Sequence, residues 1–481
     1  MRHRRRLAWA AAAAAAALGS SAALPAQALA HGIQGKRDLP IPDWLFGWGA
    51  VLVLLVSFVA LAVLWPKPQL EGAGWRPLGG FGRLLASRPV EIACGAVGAF
   101  LLGLTVYSGL AGEEIVSENF APTFVYVVFW VGLVPASVLL GDVFRALNPW
   151  RAIARAVAGL TSRAGGREVA ESFEYPPWLG RWPAAAGIVA FAFMELVVET
   201  GSDPRSLAIA ALVYSAVTWF CMSLYGIERW CDRGEAFSVY FGLFARLAPF
   251  ERRGDAVGVR RPLSGLTHVE PLPGTVPLLA AMIGSTTFDG FSAGRAWQDL
   301  VPSLVDVFDA LGFGDRAAVQ LSKGVGLLAV IAIVLAFYRL GIAGVRSVGG
   351  DLAASRLAGS FVHSLVPIAV AYVLAHYVSL LLYQAQALPS LLSDPLGRGS
   401  DLFGWSDWGI DYTWIGNETL WYLQFAFVIC GHVAALMLAH DRALSLYDRA
   451  AVAVRSQYWM LGVMVGFTSL ALWVLSEAAQ G

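Results

Sequence analysis

Nine apolar stretches, each close to the roughly twenty residues that cross a bilayer as a helix, recur along this chain. They lie at 44–65, 90–111, 124–141, 182–200, 206–226, 321–341, 357–382, 419–439 and 457–475. In lipid every backbone polar group needs an internal partner, so such runs fold as helices. The expected fold class is therefore an all-α integral membrane protein. Composition agrees. Apolar residues fill 57% of 481 positions and charged residues 14%, against about half and about a quarter in soluble domains. No soluble domain is inserted; the longest connections, 143–181 and 227–275, are basic and dotted with Pro and Gly. A formal net charge of zero, with no basic stripe interleaved with aromatics, argues against a nucleic-acid partner. The four cysteines form no CxxC pair, and no disulfide framework is expected.

The chain opens MRHRRRL, continues through an alanine-rich run and reaches LPAQALA at 24–30. A basic start, an apolar middle and a small-x-small site predict a cleaved signal peptide over 1–30, followed by one polytopic domain over 31–481. A cut after Ala28 is the competing site. Cleavage places the mature N-terminus outside. With that orientation, the inside loops of the first half hold seventeen Lys and Arg residues, against Lys36, Arg37 and Arg205 outside.

The segment 276–291 decides the second half. It begins as membrane filler and ends in Ser285-Thr286-Thr287-Phe288-Asp289. If it crosses, six later arginines fall inside and four basic residues, Arg295, Arg316, Lys323 and Arg398, outside; if it re-enters, the groups swap. The crossing model is favoured. It gives about ten spans, one short and Gly-broken, with the polar tip at the outer face. Beyond it, Trp297, Leu300, Leu304, Phe308 and Leu311 recur at helical spacing, as in an amphipathic helix on the outer surface.

Ionisable groups inside spans cost roughly 2.5–3.5 kcal/mol each to insert, so each raises a functional question. Glu195 and Glu199 stand four apart near the outer end of the fourth expected span, where two carboxylates would share a cation, a proton or a water-filled pocket. The bland reading places Glu199 at the interface and pairs Glu195 with a neighbouring hydroxyl. His363 and His376 occupy one late span, His432 and His440 the next. Their axial spacings, roughly 20 Å and roughly 12 Å, do not match as two bis-His haem sites, though a single His376–His432 pair would. His363 and His440 are read as marking the inner interface. A lone membrane histidine commonly bonds a neighbouring helix. His31, first after the expected cut, offers an α-amine and an imidazole, a chelate suited to copper or zinc.

Four stretches, HGIQGKRDLPIPDWL at 31–45, GSTTFDGF at 284–291, HSLVPIAVAYVLAHY at 363–377 and GHVAALMLAHDR at 431–442, resemble bacterial polytopic proteins named fenitrothion hydrolase. The resemblance spans most of the mature chain. It implies a membrane-bound organophosphate hydrolase in a bacterial inner membrane, associated with a second integral membrane subunit and acting on an apolar small molecule. It assigns no catalytic residue. On that reading a divalent ion, zinc or copper, activates water against phosphorus and a nitrophenolate leaves. The outer-side groups available are Glu195 and Asp289 as catalytic carboxylates, His31, Glu199 and His376 as metal ligands, and Ser285, Thr286 and Thr287 as donors to substrate. Two rival classes use the same features: an ion- or proton-coupled transporter or channel, and a copper- or haem-handling membrane subunit.

Overall fold

The structure, a computed structural model, describes residues 43–163, 173–348 and 352–478. The expected signal peptide and His31 lie outside the described residues. Among those described, eight helices are long and apolar enough to cross a membrane. Four of them are α1 (Asp43–Leu64), α2 (Arg88–Ala111), α3 (Phe120–Leu140) and α6 (Pro204–Tyr225). The later four are α10 (Asp315–Val348), α11 (Leu365–Gln384, inside a longer helical stretch), α12 (Asn417–Leu446) and α13 (Ala450–Ala478). They coincide with eight of the nine apolar runs. The ninth run forms the shorter α5, Trp182–Leu196. Between the spans lie α4 (Pro149–Arg163), α7 (Ala236–Ala245), α8 (Thr275–Ala293) and α9 (Arg295–Ala310).

Helix α8 is the segment that the sequence left open. Its 19 residues extend about 28 Å at 1.5 Å per residue. It starts beside α5, where the Arg181 amide donates to the Pro273 carbonyl at 2.7 Å. Beyond its far end Arg316 pairs with Glu199, just past the other end of α5, at 2.6 Å. The two helices therefore run side by side in the same direction. Residues 278–290 of α8 are buried without a break, packed among α5, α10, α11 and α13. A helix sheathed in protein needs no lipid-matched composition, which explains its polar content.

Two expectations for this segment are corrected. The helix is not broken at its glycines: Gly284 lets α10 approach, since a Cβ there would lie 2.7 Å from the Ile331 Cα. Nor are Ser285 to Asp289 a tip that ends the helix: α8 continues to Ala293, and all five are buried inside the bundle. The amphipathic helix expected next is α9, anchored by Trp297, which is buried edge-on against Phe288 at 5.2 Å.

The connection 227–275, read from sequence as a basic loop, is largely ordered, and two of its pieces matter here. Helix α7 is buried along nearly its whole length, and its Tyr240 stacks on Trp130 of α3 at 4.6 Å. Ten residues are too few to span, and flanking charges mask it in the sequence. The other piece is a small antiparallel sheet of order β1-β3-β2, from Trp75–Pro77, Phe250–Arg253 and Ala256–Arg260. Its hairpin turns at Gly254, whose φ of +59 opens a two-residue loop between paired Arg253 and Ala256.

The sheet and the clustered arginines of α4 and its neighbours form a basic rim. The opposite rim is tied by Glu113 to Leu396 (2.9 Å, backbone), by the Tyr126 hydroxyl to the Gly201 carbonyl (2.7 Å), and by Glu199 to Arg316. His363 and His440, read as marking the inner interface, are 2% and 1% exposed, so protein rather than water surrounds them, as it does Asp441 at 0%. Asp441 accepts from the Trp65 indole at 2.9 Å and the Gln69 amide at 2.6 Å, and so latches the chain leaving α1 onto α12.

Candidate functional site

A buried polar cluster joins α8 to α11. The Asp289 carboxylate accepts from two consecutive residues of α11: His376 through Nε2 at 2.8 Å, and the Tyr377 hydroxyl at 2.7 Å, both onto Oδ2. All three are buried, with 5%, 6% and 2% of their surface exposed. Successive helix positions point about 100° apart, yet one oxygen reaches both because the two rings stand nearly perpendicular, 76° with centroids 4.6 Å apart. Gly290 makes room for this. A Cβ there would come within 3.1 Å of Val474 Cγ1 and touch the His376 ring at 3.4 Å, so the glycine eases the packing of α13 and the imidazole against α8.

Beside His376 is a void of about 20 Å³ lined by Thr286, Thr287, Gly290 and Tyr372 among others. That volume accommodates one water. The hydroxyls of Ser285, Thr286 and Thr287 bond carbonyls one turn back in α8, at 3.4, 3.4 and 2.8 Å. Their own hydrogen bonds are thus met within the helix, and two of the three also border the void.

Half-buried Glu195 completes the cluster from α5. It is close enough to interact electrostatically with Asp289 and with the phenols of Tyr126, Tyr240 and Tyr377. Two carboxyl groups in apolar surroundings cannot both carry charge cheaply, so a proton or a cation between them relieves the cost. Tyr240 is wholly buried, and its hydroxyl has no hydrogen-bond partner among the described residues. Its neighbours Ser238, Val239 and Gly242 line a cavity of about 660 Å³ that opens at the basic rim. Helix α7 therefore separates that cavity from Glu195.

The sequence-derived residues divide accordingly. Asp289 and His376 are in contact, Glu195 is beside them, and Thr286 and Thr287 flank the void. Glu199 is elsewhere. Helix α5 ends at Leu196, so the i,i+4 relation to Glu195 does not hold, and Glu199 is exposed in its pair with Arg316. Among the described residues, no group of three His, Cys, Asp or Glu side chains could hold a metal ion. The expected ligands Glu199 and His376 do not converge. His432 gives Nδ1 to the Val428 carbonyl at 2.7 Å and leaves Nε2 buried without a partner, so no His376–His432 bond forms. Sequence reasoning misses Tyr377 and Tyr240. Tyr377 follows His376 directly, which could have flagged it; Tyr240 sits in a segment that reads as loop. Comparisons with protein-family models, curated proteins and solved structures find no match to this chain.

Proposed function

We propose that this chain is a bacterial inner-membrane protein that crosses the bilayer ten times, and that its buried carboxyl–imidazole–phenol cluster transfers protons. The ten spans are the eight long apolar helices with α5 and α8 added. Signal cleavage places the mature N-terminus outside and the basic rim inside. The observation that carries the functional reading is the shared oxygen: Asp289 Oδ2 holds both the His376 imidazole and the Tyr377 phenol at membrane depth. Chains of Asp, Glu and His at that depth belong to proton relays in pumps and transporters. On this reading protons enter by the basic-rim cavity, which Ser238, Val239 and Gly242 of α7 line, pass by Tyr240 of the same helix to Glu195, and go from Glu195 to the Asp289 cluster.

The void beside His376 favours a second reading, hydrolysis of an organophosphate triester, the activity implied by the resemblance. There His376, oriented by Asp289, takes a proton from a water in the void. The water oxygen bonds phosphorus while the nitrophenolate leaves with the bond electrons. No step runs through zinc or copper, because the described ligand candidates, Glu199 and His376, do not gather. This reading carries with it the second integral subunit and a substrate that arrives through the bilayer.

Both readings are tested on one preparation in proteoliposomes. Proton entry under a potassium diffusion potential is followed with an internal pH dye, and nitrophenolate release is followed from a nitrophenyl phosphotriester. Flux lost in Asp289→Asn and His376→Ala supports the relay. Hydrolysis lost in the same variants, with no flux in the wild type, replaces it with the hydrolase. Proton entry no faster than in protein-free vesicles, with no hydrolysis, removes both.

A further inference from the structure

The cavity at the basic rim has a second property, independent of the proton reading. Its volume of about 660 Å³ is that of a small-molecule site, and eight arginines and five carboxylates line it. Most of the charge is internally matched. Arg145 pairs with Glu228 and Asp232, Arg151 and Arg155 with Glu91 and Glu228, and Arg260 with Glu251. Arg252 lies 3.7 Å from Glu91.

Three arginines stand outside that network. Arg181, Arg233 and Arg246 form no ion pair with a carboxylate among the described residues. Arg181 is 6% exposed. Its Nη1 donates to the Glu270 carbonyl and the Thr275 hydroxyl, each at 2.9 Å, but its Nε is buried with no partner. Arg246 reaches only the Gly265 and His268 carbonyls, at 3.5 Å each. Arg233 lies over the Tyr175 ring at 5.9 Å. Burial first, then the charge of Arg246, lowers the Arg181 pKa to about 10, so it still carries its proton at neutral pH. The Glu270 and Asp232 carboxylates act on Arg181 from a distance without pairing with it, and a buried guanidinium with an idle donor beside two further cations gains from an anion that completes it.

We propose that Arg181, Arg233 and Arg246 bind a phosphate-type oxyanion in this cavity, carried either by a small phosphorylated molecule or by a lipid headgroup. Planar guanidinium forks match phosphate oxygens in pairs, which makes phosphate a better fit than a monovalent halide. Basic pockets on the cytoplasmic side of helical bundles also receive acidic headgroups.

The test measures thermal unfolding of the full-length protein. In detergent, inorganic phosphate and glycerol 3-phosphate are titrated against chloride at equal ionic strength. In nanodiscs, phosphatidylcholine is compared with the same lipid containing phosphatidylglycerol or cardiolipin. Stabilisation by the soluble phosphates identifies a small-molecule site, and stabilisation by acidic lipid alone identifies a headgroup site. In either case Arg246→Gln and Arg233→Gln should weaken the response about tenfold, since each removes a charge-assisted contact. Arg246→Lys should retain part of it, and Arg83→Gln, exposed outside the cavity, should respond like the wild type. Arg181→Gln is informative only if it folds, so the decisive variants are those at half-buried Arg246 and Arg233. No stabilisation by either class, or equal stabilisation in Arg246→Gln and Arg233→Gln, overturns the proposal. Proton flux is not an input, so loss of the relay reading leaves this site standing.

Discussion

Asp289 and His376 stand 87 positions apart and meet at 2.8 Å, carboxylate oxygen to imidazole nitrogen, where α8 packs on α11. Tyr377 donates to the same oxygen at 2.7 Å. The contact couples two of the most buried helices, and a water-sized void adjoins the imidazole. A purely structural tie and a proton-transferring site make different demands on these residues, and substitution separates them.

Removing Asp289 strands two buried donors, each at a cost of about 1–3 kcal/mol. Asp289→Ala should lower the unfolding temperature more than His376→Ala or Tyr377→Phe does. Asp289→Asn keeps an acceptor oxygen and should fold better than the alanine variant while transferring no proton. Glu199→Ala is the contrast: its exposed pair with Arg316 is worth at most about 1 kcal/mol, and activity should be unchanged. Loss of activity in Glu199→Ala at normal yield would return that residue to the site.

The latch near the C-terminal end of α12 should matter for folding rather than function. Asp441 is fully buried and accepts from the Trp65 indole and the Gln69 and Leu70 amides. Asp441→Ala leaves those donors unmet and should destabilise by about 3 kcal/mol, seen as reduced folded yield and a lower unfolding temperature in detergent. Protein that does survive should keep full proton flux. An unchanged unfolding temperature would mean that water replaces the carboxylate at no cost.

The basic rim sets an acid limit. Half-buried Glu228 is pushed toward protonation by burial, but Arg151, Arg155 and Arg145 outweigh that and hold its carboxyl below the ordinary value of 4.5. A depressed carboxyl stabilises the fold above its unfolded pKa, and that contribution is lost as pH falls through the folded value. The stability gap between wild type and Glu228→Gln should therefore be full at neutral pH and close below about pH 4. Because the Glu228 side chain is 40% exposed, added salt should narrow the gap as well. A gap that stays constant from pH 7 to 3 would show that the arginines do not act through its charge.

How far the sequence leads depends on which physical signal each element carries. Long apolar runs are legible because lipid imposes length and composition together, and eight of the nine return as long helices. Helix α7 and the small sheet are not, because burial among other helices leaves no length signal and charged flanks imitate a loop. Helix α8 looks broken in sequence because Gly284 and Gly290 suggest flexibility, whereas in the fold they allow Ile331 and Val474 to pack close. Ionisable residues in apolar context flag Asp289, His376 and Glu195. The i,i+4 rule carries Glu199 along wrongly, since it assumes a helix that in fact ends at Leu196. The Asp289–His376 contact itself is set by which helices pack together, a fact no single span contains.

Tyr240 gives the sharpest division between structure and function. Its hydroxyl is buried, has no hydrogen-bond partner among the described residues, and interacts electrostatically with Glu195, while its helix neighbours Ser238, Val239 and Gly242 line the basic-rim cavity. If the hydroxyl did nothing, Tyr240→Phe would be neutral or stabilising, because an unmet buried polar group is removed while the stack on Trp130 at 4.6 Å is retained. If protons pass this point, the same variant should fold as well as the wild type or better and lose most of its flux. Tyr240→Leu, which also loses the stack, should lose stability too, separating packing from proton transfer. Unfolding temperature and dye-monitored proton entry on one set of proteoliposomes read both quantities. Undiminished flux in Tyr240→Phe would close the route through α7 and leave the Asp289 cluster supplied from the opposite rim.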